Sequence, residues 1–190
     1  MGLISSNYDL PDSSGSNRFA KLEPGENRFR VLAAPTTGFV VWENQTPKRY
    51  KTRSDVPAGA EDVKHFWFVP VWLYDKKATT GSVKFLEMAQ KTVITELLAF
   101  DRNEDWGDLN QYDIIVNRDG EGMDTSYRTM PVPKSDIPKE AAKAWEAMKG
   151  NYMPEELFTD DGSVYKEDSI IVDVDKEKGS GKEDDDGLPF

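Results

Sequence analysis

Residues 47–53 read Pro47-Lys48-Arg49-Tyr50-Lys51-Thr52-Arg53, four cations interleaved with one aromatic ring. That mixture suits a polymer with phosphates on one side and unpaired base faces on the other. Guanidinium and ammonium groups pair with phosphate oxygens. Aromatic faces stack on any base, at about 1–3 kcal/mol each. In an extended strand, period two places Arg49, Lys51 and Arg53 on one face, and these are the phosphate candidates. Trp42, Tyr50, Phe66 and Trp72 are the stacking candidates, with Tyr127 and Arg128 as further contacts. The competing account of the stripe is an edge strand guarded by charge. For aromatic residues the competing account is the core, to which Phe29, Phe39, Phe85, Phe100 and Trp145 are assigned.

A second constellation closes the chain: Glu183-Asp184-Asp185-Asp186-Gly187-Leu188-Pro189-Phe190. Apolar atoms left in water usually mark a contact site. This end resembles the tip of bacterial single-stranded DNA-binding proteins, an acidic stretch closing on a short hydrophobic-Pro-Phe end. The resemblance implies that Phe190 fills a partner's pocket beside Leu188 and Pro189. Its carboxylate would meet an Arg or Lys, and Asp184, Asp185 and Asp186 would lie along a basic rim. A plain solubilising tail is the alternative.

Other chemistries find less support. Cysteine is absent, so the chain offers no disulfide, thiolate ligand or cysteine nucleophile. His65 is the only histidine, which argues against zinc and for a packed or hydrogen-bonded ring. Asp105, Asp108 and Asp113 surround Trp106 and suggest a Mg²⁺-dependent nuclease as a rival, or else helix-capping and turn residues. No phosphate-cradling Gly-rich loop and no Gly-x-Ser-x-Gly elbow occurs. The expectation is a binding protein without enzymatic activity, metal or cofactor.

The net charge of −11 looks hostile to nucleic acid, but it is unevenly spread. Residues 151–190 hold 4 Lys against 13 Asp and Glu, whereas residues 18–100 hold 13 basic against 9 acidic residues. A basic half joined to an acidic tail is a polarised molecule. No apolar run approaches a membrane span. The start lacks the basic and apolar regions of a signal peptide. Gly2 and Ser6 fit the loose myristoylation pattern, which recurs by chance. The expected setting is the cytoplasm of a bacterial host, away from membranes.

These residues need elements to position them. Residues 28–32, 39–42, 47–53 and 83–88 read as strands, as does the aromatic, β-branched run 65–74. Pro70 within that run predicts a bulge or an edge. Odd positions Trp67, Val69, Val71 and Leu73 would face the interior; Phe66, Phe68, Trp72 and Tyr74 would face a ligand. Val93, Ile94, Leu97 and Leu98 recur at helical spacing over residues 90–101. A hairpin follows across Asp119-Gly120-Glu121-Gly122. A last helix spans residues 138–149, with Pro138 in its first turn and Asp136 as cap. The fold class is mainly β with α: an OB-fold-like small barrel with an inserted helix, a C-terminal helix and a disordered acidic tail. The divisions are a flexible arm at 1–17, a binding domain at 18–133, a helix and packing segment at 134–158, and the tail at 159–190.

An ordered set of segments adds a resemblance over residues 18–133. They are Leu22-Glu23-Pro24-Gly25-Glu26-Asn27-Arg28-Phe29-Arg30-Val31-Leu32, Lys64-His65-Phe66-Trp67, and Leu86-Glu87-Met88-Ala89-Gln90-Lys91-Thr92. Asp105-Trp106-Gly107-Asp108, Tyr112-Asp113-Ile114 and Arg118-Asp119-Gly120-Glu121-Gly122-Met123-Asp124-Thr125 continue it. Together they resemble a family of tailed-bacteriophage single-stranded DNA-binding proteins. The resemblance implies an OB-fold, single-strand binding with little sequence preference, and a role in phage DNA replication or recombination. Its implied partners are single-stranded DNA and, through the tip, replication or recombination proteins. A protein adaptor without DNA affinity is the principal rival.

Overall fold

The computed structural model describes residues 18–166. Eight strands form one mixed sheet: β1 (Phe19–Ala20), β2 (Gly25–Val31), β3 (Thr36–Glu43), β4 (Thr46–Tyr50), β5 (Lys64–Tyr74), β6 (Gly81–Met88), β7 (Asp113–Asp119) and β8 (Ser126–Pro131). Two helices, α1 (Lys91–Asp101) and α2 (Lys139–Met148), complete the body. The strand order is β1-β6-β5-β2-β7-β8, and β3 bridges β5 to β4. Among the described residues only β1 with β6 is a parallel pairing.

The sheet is open, where an OB-fold-like small barrel was expected. At its β8 edge the outward N–H of Thr129 donates to Glu96 Oε2 of α1, 3.1 Å away. Two residues on, Pro131 has no N–H to offer a further strand. Helix α1 packs beside β8.

Period two in β5 sends side chains to two faces, and both faces are buried. Trp67, Val69 and Val71 join Phe29, Ile114 and Leu97 in the main core, over which α1 lays Val93, Ile94 and Leu97. On the other face Phe66, Phe68 and Phe85 lie under residues 145–165, including Trp145, Leu157 and Val164. Phe85 stacks on Phe68 at 5.8 Å and on Tyr152 at 5.2 Å between ring centroids. Trp72 packs on Ala141 of α2.

Pro70 makes neither a bulge nor an edge. It sits in unbroken antiparallel register with β6, opposite Phe85. On the other side β5 changes partner there, from β3 at residues 64–68 to β2 at residues 71–73. The Pro70 carbonyl accepts from Leu32 N at 3.0 Å, so its missing N–H faces the gap between β2 and β3.

Three boundaries also move. β4 ends at Tyr50, and Arg53–Asp55 form one 3₁₀ turn, with Thr52 donating from N and Oγ1 to Asp55 Oδ2. Pro138 caps α2, with no side-chain bond from Asp136. Packing extends past residue 158 to Lys166: Val164 is buried, and Tyr165 bridges to Tyr152. The expected arm at 1–17 lies outside the described residues, as does the tail from residue 167 with its tip. Among the described residues no helix is long and apolar enough to cross a membrane.

Candidate nucleic-acid interface

Phe39 on β3 stands opposite Tyr50 on β4 and opposite His65 on β5. Directly opposed residues share a face of the sheet, so the three rings form a row across three strands. The Phe39 and His65 centroids are 5.3 Å apart with planes at 56°. Phe39 and Tyr50 are half-buried and His65 is exposed. Lys48, opposite Val41, stands on the same face two pairs along the ladder. Its ammonium meets Glu43 at 2.6 Å, and that hydrogen bond, then the Glu43 charge, raises its pKa. Lys51 and Arg53 follow Tyr50 on exposed backbone.

Each predicted site residue now has a place. Tyr50 lies in the row. Trp42 is the last residue but one of β3, on the face opposite the row, and is 50% exposed, with the Lys21 ammonium 5.9 Å from its ring centroid. Arg49 projects to the opposite face, where its Nε and Nη2 donate to Glu87 Oε2 at 2.9 and 2.7 Å. Lys51 reaches Glu155 at 2.8 Å. Arg53 makes no ion pair among the described residues. The single stripe of Arg49, Lys51 and Arg53 is therefore corrected: the strand ends before Lys51, and alternation ends with it.

Phe66 and Trp72 are also corrected, from ligand face to core. The face they occupy was expected to be open, but residues 138–166 cover it. Phe68 shares this fate, while Tyr74 stays half-buried and donates its hydroxyl hydrogen to Asp113 Oδ1 at 3.2 Å. On β8, Tyr127 packs against the main core, and Arg128 on the other face is exposed. Tip residues Asp184, Asp185, Asp186, Leu188, Pro189 and Phe190 lie outside the described residues.

Phe39 and His65 are the contributors that sequence reasoning missed. Phe39 was assigned to the core and His65 to packing. No local signal marks either, because the row exists only through the pairing register of three strands. The aspartates around Trp106 take separate roles. Asp113 is buried against Arg28 and Arg30, whereas Asp105 and Asp108 are exposed. Among the described residues no three His, Cys, Asp or Glu side chains group as metal ligands would.

Comparison of the chain with family models, with curated proteins and with solved structures gives no match in any of the three. The functional reading therefore rests on the residues themselves.

Proposed function

We propose that this protein binds single-stranded DNA, coating and protecting it during phage DNA replication or recombination. The observation that carries the reading is the Tyr50–Phe39–His65 row, with Lys48 on the same face and the exposed Lys51 and Arg53 following Tyr50 in the chain. Such a row offers sequence-tolerant stacking, and the cations supply the phosphate term. The connectivity supports an opened OB-fold: a helix joins β6 to β7, and the β7–β8 hairpin returns beside β2. The resemblance over residues 18–133 and the polarised charge support the same class. In this reading the protein is not an enzyme and needs no cofactor. The acidic tip recruits replication or recombination proteins in a bacterial cytoplasm, and in the absence of DNA the tail lies against the basic surface.

The test is fluorescence anisotropy of a labelled oligo-dT at several salt concentrations, with a duplex of equal length as competitor. Single-strand binding that weakens with salt, by about 0.7 in log–log slope per phosphate contact, is expected. A chain cut after Ser180 should bind more tightly at low salt. No binding by either form would leave the protein adaptor as the better account. Loss of labelled DNA only on adding Mg²⁺ would favour the nuclease.

A further inference from the structure

The three strands of the row are not equally secured. β5 has β3 and β2 on one side and β6 on the other, whereas β4 pairs with β3 alone. A two-stranded hairpin by itself is marginally stable in water. β4, which carries Tyr50 and Lys48, therefore needs support from outside the ladder. It packs against the 3₁₀ turn Pro154–Phe158 of the covering segment.

The sequence of that turn explains what it presents. Pro154 fixes the backbone at its start. Thr159 Oγ1 donates to the Glu156 carbonyl at 2.8 Å and closes its end. Leu157 is buried in the core below the covering segment, which anchors the next residue, Phe158. Gly38 of β3 has no Cβ. One would stand 2.7 Å from Phe158 Cε1 and 2.6 Å from the Tyr50 carbonyl oxygen. The ring and the carbonyl thus share the space that any other side chain at position 38 would fill. Gly38 stands opposite Phe66 on the covered face, and Phe39 follows it on the other. Phe158 is back to back with the row, with the β3 backbone between them. Glu155 of the same turn accepts from Lys51 Nζ at 2.8 Å, one residue past Tyr50. Both ends of that pair are exposed, so it adds little strength, and the packing of Phe158 carries the support.

We infer that Phe158 is a positioning residue for the row, an inference that rests on the single-strand reading given above. Phe158 never meets the strand it helps to bind. It acts by holding β4 against β3, so that Tyr50 stands level with Phe39. Stacking on successive rings needs a fixed spacing between them. A lysine on its flexible four-carbon stem can follow a phosphate that moves. Loss of the support therefore weakens stacking and spares the salt-dependent part of binding.

The experiment compares oligo-dT binding by the full chain with that of Phe158→Ala, Phe158→Leu and Phe68→Ala. Phe68→Ala removes a ring from the same covered core, but beside Phe85 rather than β4. Phe158→Ala should bind about tenfold more weakly, the equivalent of one stacked base lost, with its salt slope unchanged. Phe158→Leu should recover most of the affinity, because leucine keeps most of the volume below Gly38. Phe68→Ala should bind as the unaltered chain does once scaled to its folded fraction, which thermal melts supply. Unaltered affinity of Phe158→Ala, or an equal loss in Phe68→Ala, would overturn the positioning role and leave the single-strand reading intact. Should the unaltered chain bind no oligomer, the single-strand reading fails, and amide hydrogen exchange decides the support alone. Exchange over residues 48–50 that is about tenfold faster in Phe158→Ala than in Phe68→Ala supports it, and equal exchange refutes it.

Discussion

Asp113 Oδ1 accepts a hydrogen bond from Arg30 Nε at 2.7 Å, with both side chains shut away from solvent. The other oxygen accepts from Arg28 Nε and Nη2 at 3.0 and 2.7 Å. One carboxylate thus serves two guanidiniums, and the remaining Arg30 donors reach the Ser135 carbonyl and hydroxyl and the Asn110 carbonyl. The network ties β2 to β7 and to the segment leaving β8. It also gives Asp113 a structural task that competes with the metal-ligand role in the nuclease rival.

Replacing Asp113 with Ala leaves the buried Arg30 charge without its counter-ion. Breaking such a pair from one side costs about 3–5 kcal/mol. Urea unfolding should show the midpoint falling accordingly. A decrease under about 1 kcal/mol would mean that water compensates the arginine.

Aromatic residues on the two faces of the sheet should separate cleanly. Tyr50→Ala, Phe39→Ala and His65→Ala should each weaken oligo-dT binding by about 1–3 kcal/mol. Phe66→Ala and Phe68→Ala should instead cost about 3–5 kcal/mol of stability. Their folded fraction should bind normally. Titration of anisotropy beside thermal melts of the same samples distinguishes the two behaviours.

The cations should divide in the same way. Alanine at Lys48, Lys51 or Arg53 should lower the salt slope by about 0.7 for each phosphate no longer held. Arg49→Ala should leave that slope unchanged while exposing Glu87 without its partner. A slope that falls for Arg49→Ala would show that Arg49 releases Glu87 to take phosphate.

Gly38 lies where a Cβ would stand 2.6 Å from the Tyr50 carbonyl oxygen and 2.7 Å from Phe158 Cε1. Gly38→Ala must displace β4 or the covering segment. A stability decrease of about 1–3 kcal/mol follows from such overpacking. Accelerated protease cleavage near residue 158 would identify the covering segment as the part that yields.

Alkaline pH should unfold the protein through its buried tyrosine. Burial, followed by the charges of Asp101 and Asp108, raises Tyr112 to about 12. Its stabilising contribution is complete below the unfolded tyrosine value of about 10 and is lost as pH rises towards about 12, because only the unfolded chain ionises in that window. Tyr112→Phe should flatten the decline in stability across it. An unchanged pH profile would assign the decline to Tyr74 and Tyr152, which burial also raises.

Much of the fold was legible because periodicity is local. Val93, Ile94 and Leu97 announced α1, and all three are buried. The hairpin turn was legible in Asp119-Gly120, where Gly120 adopts φ 81°. Odd and even positions of β5 were sorted to opposite faces correctly, and Pro70 did not shift them. What those faces met was not legible. Phe66 looks the same in sequence whether solvent or residue 158 lies above it.

Residue types and spacing alone determined that this chain builds strands around an inserted helix and carries cations among aromatics. They also determined that its basic and acidic charge is segregated. Tertiary structure alone decided which aromatics remain available. Residues 138–166 fold over one face and bury Phe66, Phe68 and Trp72. The register of β3, β4 and β5 assembles Tyr50, Phe39 and His65 on the other. The physical reason is that burial and cross-strand pairing depend on contacts between residues distant in the chain, which no local pattern encodes.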